Sequence, residues 1–206
     1  VQTLRLAFGQ RRYFSGERVA LPGIANLNDG RSDFLFAASA QDTAAPSIAA
    51  GLQYGVRDAR IPRFSMRWRY LPADGRILNV GLRHVRDDLG QIDASWRWPI
   101  ASNWVALGRI NYSWLKERVD PASGVLTEAR PGIVEGLAGF EYTADCWATR
   151  FVIQRFVTAA GRTTSAVFFQ LELNGLARIG SDPFDILRRN IPGYRPPSER
   201  PQLPSR

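Results

Sequence analysis

At 206 residues, with no apolar run near the roughly 18 that a membrane helix needs, the chain offers no helical membrane span. A mean hydropathy of −0.22 and 45% hydrophobic residues resemble a water-soluble protein, but alternating apolar and polar residues give a β-barrel strand the same average. The formal charge of +8 rests on 26 arginines and the single lysine Lys116, spread along the chain rather than gathered on one element, which argues against a nucleic-acid surface.

The chain opens at Val1 in mid-pattern, without a start methionine or signal peptide, and so reads as part of a longer protein. From there period-2 alternation bounded by turn residues predicts ten strands. The first covers 3–13, with Leu4, Leu6 and Phe8 on one face; the second covers 33–41, with Phe34, Phe36, Ala38 and Ala40; the third covers 47–54, with Ile48, Ala50, Leu52 and Tyr54. The fourth (63–70) sets Phe64, Met66, Trp68 and Tyr70 against Arg63, Ser65, Arg67 and Arg69. The fifth (78–83) sets Leu78, Val80 and Leu82 against Asn79 and Arg83, and the sixth (91–98) sets Ile92, Trp96 and Trp98 against Asp93, Ser95 and Arg97. The seventh (106–114) opposes Ile110, Tyr112 and Trp114 to Arg109, Asn111 and Ser113. The eighth (134–142) opposes Phe140 and Tyr142 to Glu135 and Glu141, and the ninth (147–157) opposes Phe151 and Ile153 to Arg150, Val152 and Gln154. The tenth (165–173) opposes Val167, Phe169, Leu171 and Leu173 to Phe168, Gln170 and Glu172.

After Leu173 the pattern changes. Asp182-Pro183 has the form of an N-cap followed by proline at the first helical position, and Phe184 and Leu187 fit one or two amphipathic turns ending near Asn190. From Pro192 onward, prolines and charges argue against packing. The predicted organisation is strands over 1–174 and a carboxy-terminal tail with a short helix over 175–206.

The fold class this implies is all-β, an antiparallel transmembrane β-barrel portion; a soluble β-sandwich shares the alternation. Three features favour the barrel. The strands mostly reach about 8 to 11 residues, near the length a tilted membrane strand needs. Trp68, Tyr70, Trp96, Trp98, Trp104, Tyr112, Trp114, Tyr142 and Trp147 stand near strand ends, as interfacial girdles do. Arginines sit in mid-strand, where only water or ion pairing tolerates them. Connection lengths orient it: the short turns at 41–46, 72–75, 99–103 and 143–146 fall on one side, the periplasmic one, and the long loops at 15–32 and 116–132 on the other, although three further connections on that other side, 56–59 and 87–89 among them, are also short. By that parity Cys146 and the tail are periplasmic.

Four motifs carry a family resemblance: Ser95-Trp96-Arg97-Trp98-Pro99-Ile100 followed by Trp104; Gly139-Phe140-Glu141-Tyr142 with Asp145-Cys146-Trp147; Phe169-Gln170-Leu171-Glu172-Leu173-Asn174-Gly175-Leu176; and Asp185-Ile186-Leu187-Arg188-Arg189-Asn190-Ile191-Pro192-Gly193-Tyr194. In order and spacing they resemble the carboxy-terminal part of the LptD family, the lipopolysaccharide-assembly proteins of the Gram-negative outer membrane. The resemblance implies a larger barrel behind a periplasmic jellyroll, with the lipoprotein LptE as its plug. The ten strands are then the last ten. The final strand, with Val167, Phe169, Leu171 and Leu173, meets the first at a weakly paired seam through which lipopolysaccharide passes. Periplasmic lipopolysaccharide-bridge proteins act through the amino-terminal domain that precedes these strands. Family members often carry two adjacent cysteines in the periplasmic turn, bonded to that domain; here Asp145 holds one of the positions, so Cys146 is left to form a single disulfide to a segment outside this chain.

No catalytic or metal constellation stands out, and no cofactor is implied. His84 is the only histidine, so histidine-based metal clusters lack ligands. An unrelated outer-membrane barrel, a porin or a barrel lipase or deacylase using His84 and a serine, stays as the alternative function. The polar-face arginines Arg67, Arg69, Arg83, Arg97, Arg109 and Arg150 admit two readings: forks for the anionic groups of lipopolysaccharide, or partners of Asp93, Glu135, Glu141 and Glu172. Pairing is preferred, because arginines withdrawn from water are normally paired.

Overall fold

A computed structural model of the chain describes residues 3–12, 31–41, 46–56, 59–72, 74–115, 117–119, 126–128, 130–157, 163–173, 176–181 and 183–196. Ten long strands form where the alternation places them: β1 (Thr3–Arg12), β2 (Arg31–Gln41), β3 (Ser47–Gly55), β4 (Arg60–Tyr70), β5 (Ile77–Val85), β6 (Leu89–Ala101) and β7 (Trp104–Ser113), then, after the short pair β8 (Glu117–Val119) and β9 (Leu126–Glu128), β10 (Gly132–Thr143), β11 (Trp147–Val157) and β12 (Thr163–Leu173). A four-residue strand β13 (Ala177–Gly180) and one helix, α1 (Phe184–Asn190), follow. The order in the main sheet is β1-β2-β3-β4-β5-β6-β7-β10-β11-β12-β13, while among the described residues β8 and β9 pair only with each other.

Three elements differ from the sequence expectation. The 116–132 connection, read as a loop, holds the β8–β9 hairpin. β13 is added to the edge of β12. α1 starts at Phe184 with Pro183 in the N-cap position and no side-chain cap hydrogen bond, so the helix is set by its buried face rather than by a cap. The expected Asp182 cap, the end of the first strand at Tyr13 and the loop at 15–32 lie outside the described residues.

By its internal contacts the chain divides into two units. The first comprises Val1–Arg69, Val80–Asp93 and Tyr112–Ile133. In it, register carries side chains of one kind across four strands: Phe8, Phe36, Leu52 and Phe64 form one apolar rung, and Leu4, Ala40, Ile48 and Trp68 another. Facing residues lie close enough for ring contact, and the Phe8 and Phe36 centroids are 5.1 Å apart. This apolar face is open, with Leu6 74% exposed. A water-soluble sheet would cover it.

The second unit comprises Tyr70–Asn79, Ala94–Asn111 and Val134–Arg206. Its apolar rung Phe140, Phe151 and Phe169 runs across β10, β11 and β12, and Phe140 and Phe169 are exposed. The opposite face is buried under the tail. There Ile77, Leu107, Leu137 and Val152 meet Phe184, Leu187, Ile191 and Tyr194, with Phe168 and Ile186 packed alongside. Packing from Pro192 onward is therefore present through residue 196, contrary to expectation: Tyr194 and Pro196 are buried. The cause is the apolar seat that Leu107, Leu137, Val152 and Phe168 make on an otherwise polar face. Leu187 and Ile191 are fully buried on it, worth about 1.5–3 kcal/mol each. Gly193 makes the turn at φ +95°, where a Cβ would come within 2.6 Å of Leu71 Cδ2.

Candidate functional site

Burying one face of β6, β10, β11 and β12 places charged side chains out of water, and they answer one another in alternating sign. Arg97 Nη2 lies 3.4 Å from Glu141 Oε2, Glu141 Oε1 is 3.3 Å from Arg150 Nε, Arg150 Nη1 is 3.0 Å from Glu172 Oε2, and Glu172 Oε1 is 3.1 Å from Arg178 Nη2. Arg150 is 0% and Glu141 1% exposed, so the ladder sits in low dielectric, where unpaired charge is costly. Register builds it: Glu141, Arg150 and Gln170 stand directly opposite on adjacent strands, and Glu172 faces Arg178 on β13. Arg150 also donates to Gln170 Oε1, and Arg97 donates to the Gly75 carbonyl at 2.6 Å.

The tail is tied into this ladder. The Tyr194 hydroxyl donates to Glu141 Oε1, and the Arg150 guanidinium lies over the Phe184 ring at 4.5 Å with that of Arg178 at 5.6 Å. Asn79 Nδ2 donates to Ser95 Oγ and to the Pro192 carbonyl, and Asn190 Oδ1 accepts from Arg109, which also pairs with Glu135 at 3.0 Å. Gln154 donates to the other Glu135 oxygen at 2.8 Å. Burial, and next the Glu141 carboxylate, push the Tyr194 phenol above its ordinary value, with Arg150 opposing.

A second feature is the outer edge of β12. β13 pairs only with Gln170–Leu173, and Ser181 closes on Phe169 through its backbone N–H and its hydroxyl. Gly180 allows this turn at φ +104°. Among the described residues, no strand pairs with the 163–168 stretch of β12 on that side.

The residues singled out in sequence separate accordingly. Arg97, Arg109 and Arg150 pair with glutamates on the tail-covered face. Arg67 and Arg83 are exposed and Arg69 half-buried. Val167 and Phe169 are exposed, while Leu171 and Leu173 face Ile179 and Ala177 of β13. Cys146 is a free, exposed thiol in the β10–β11 turn. The contacts of Tyr194, Asn190 and Arg178 with the glutamates and arginines of the sheet are not among the sequence expectations; their signal is the set of apolar residues, Val152 and Phe168 above all, on a face otherwise polar.

Two outcomes follow from the ladder. Glu141→Gln in the full-length protein leaves two buried guanidiniums undercompensated and destabilises the fold by about 3–5 kcal/mol. The check is the urea midpoint in detergent; a midpoint equal to wild type removes Glu141 from the stability argument. For Tyr194 the folded value lies above the unfolded value of 10.0, so its contribution is complete below pH 10 and declines as pH rises beyond it. Protease resistance of the tail falls above that pH in wild type, and the step is absent from Tyr194→Phe.

Known proteins are similar to this sequence. A family model described as LptD, LPS transport system D, matches residues 1–104. The LPS-assembly protein LptD of Thiobacillus denitrificans is 38% identical over 199 residues, covering 97% of this chain and 25% of that protein. Proteins of the same name from Nitrosospira multiformis and Bordetella pertussis are 40% and 37% identical, each over 94% of the chain. The chain spans about a quarter of the length of the first and of the Bordetella pertussis protein, of which it covers 26%, and 19% of the Nitrosospira multiformis protein. With half of its residues inside the family model and nearly all of them aligned to these relatives, the chain belongs to the LptD family.

Proposed function

We propose that the chain is the carboxy-terminal section of an outer-membrane β-barrel that delivers lipopolysaccharide to the outer leaflet without covalent chemistry. The observation that carries this is the reversed polarity of the second unit: Phe140, Ile153, Val167 and Phe169 are exposed, while Arg97, Glu141, Arg150 and Glu172 are buried on the opposite face. Lipid is the solvent that favours such a sheet. The relatives' name supplies the cargo, since they are LPS-assembly proteins. On this reading residues 1–174 form wall and 175–206 a segment entering from the periplasmic side. The partners of the full-length protein are lipopolysaccharide, a plug lipoprotein of the LptE kind and periplasmic lipopolysaccharide-bridge proteins.

The edge of β12 is the proposed exit. A strand edge with free N–H and C=O groups pairs with another strand, and here the first strand of the whole barrel is the partner. The seam covers 163–168, Val167 included, and β13 pairs with Gln170–Leu173. Pair Ser165→Cys with a cysteine scanned along the first strand of the full-length protein. The oxidised lock stops newly made lipopolysaccharide from reaching the cell surface and reduction restores it, while a lock between Gln154→Cys and Ala166→Cys, already neighbours in register, leaves export unchanged. Export at the wild-type rate through an oxidised seam sinks the reading.

Cys146 is proposed to bond a cysteine in the segment that precedes this chain, because an exposed thiol in the oxidising periplasm meets a partner readily. Non-reducing electrophoresis of full-length Cys146→Ser then shows altered mobility relative to wild type; an unchanged band rules the bridge out.

A further inference from the structure

The first unit holds a cluster of arginines in a setting opposite to that of the second. On its polar face Arg5, Ser39, Ala49 and Arg67 occupy one rung across β1, β2, β3 and β4, and Arg69 stands two residues further along β4, facing Ser47. Neighbouring strands lie about 4.8 Å apart, so the Arg5 and Arg67 backbones are separated by roughly 14 Å. Between them the rung holds only a hydroxymethyl and a methyl. The outcome is a cleft of about 170 Å³ whose lining includes Thr3, Arg5, Ser39, Ser47, Arg67 and Arg69. None of the described residues lining it is an aspartate or glutamate. Arg69 Nε is buried there with no hydrogen-bond partner among the described residues.

A buried donor left unbonded is costly, and a guanidinium answers best to an oxyanion. In the second unit glutamates supply carboxylates to Arg97, Arg109 and Arg150, on the adjacent strand for Arg109 and Arg150 and two strands away for Arg97, although Arg97 Nε and Arg150 Nη2 also have no hydrogen-bond partner among the described residues. Here the positions between the arginines are small, and the space is equal to roughly six waters. That volume takes one tetrahedral anion. Three guanidiniums supply more donors than a carboxylate's two oxygens can use, and the hydroxyls of Thr3, Ser39 and Ser47 add further donors.

We propose that Arg5, Arg67 and Arg69 form a binding site for a phosphate group, carried on a lipid headgroup or free in solution. The site rests on the geometry of the first unit alone and not on the seam reading, so either can fail without the other.

The test uses full-length protein, with its native partner, purified in detergent. Inorganic phosphate is titrated in one arm; in the other, lipopolysaccharide is compared with lipopolysaccharide dephosphorylated by a phosphatase. The variants are Arg67→Gln with Arg69→Gln, Arg5→Gln, and Arg83→Gln as an exposed arginine outside the cleft; retained heat-modifiable mobility certifies folding. Binding of inorganic phosphate that weakens about tenfold or more in the double variant, and not in Arg83→Gln, establishes the site for free phosphate. Binding confined to phosphorylated lipopolysaccharide, with the same dependence on the arginines, establishes it for the headgroup. The proposal is overturned if the folded double variant binds both probes as wild type does, or if wild type binds no inorganic phosphate and does not distinguish lipopolysaccharide from its dephosphorylated form.

Discussion

Glu141 is the point on which the second unit turns. Its carboxylate accepts from Arg97, Arg150 and Tyr194, and these belong to β6, β11 and the tail, while Glu141 itself sits on β10. Two arginines almost out of water require that carboxylate, since the desolvation of each ion is recovered only when charge and hydrogen bonds are both matched. The match also requires register. A slip of one residue between β10 and β11 would send Arg150 to the apolar face and set Phe151 or Thr149 where the guanidinium belongs. Ionic pairing thus specifies strand alignment, while the apolar seat beneath α1 supplies the burial that charge pairing does not.

The same face explains why a seven-residue helix persists. In isolation such a helix is shorter than water tolerates. Here Phe184, Leu187 and Ile191 enter the seat, Asp185 lies in the first turn and Arg188 and Arg189 in the last, each at the favourable end of the helix dipole. Tyr194 then fixes the segment beyond the helix to the ladder. The tail and the ladder are one cooperative structure, since removing the tail would hydrate the ion pairs and removing the pairs would leave the tail a purely apolar contact.

The long strands were legible because each alternates over eight or more residues and ends in turn chemistry; 147–157 is found with identical bounds. Their facing was legible too, since Phe8, Phe36, Leu52 and Phe64 share a rung as their parity demands. β13 was not, because Ala177-Arg178-Ile179-Gly180 is too short for a period to be read. The packed tail was hidden by composition: a proline- and arginine-rich segment gives no periodic signal, and its burial depends on residues as distant in sequence as Ile77 and Leu107. Yet Val152 and Phe168 broke the polar pattern of β11 and β12, and an apolar residue on a polar face asks what covers it. Pairing among the arginines could be expected in kind but not in detail, because nothing in one strand says which of Arg67, Arg97 and Arg150 will have a glutamate across from it.

What distinguishes β12 from the strands before it is that its two ends are held differently. Toward Leu173 it is fixed three times over, by Gln170 and Glu172 in the ladder, by the β13 pairing, and by Ser181 on Phe169. Toward Thr163 it has β11 on one side and, among the described residues, no strand on the other, with Thr163, Thr164 and Ser165 exposed. Local opening free energy follows burial and pairing, so this strand frays from Thr163 and not from Leu173. In the proposed wall the ladder therefore does more than hold the tail. It clamps one half of the last strand, so that separation of the seam is confined to the other half and need not propagate into the ion pairs that keep the barrel section folded.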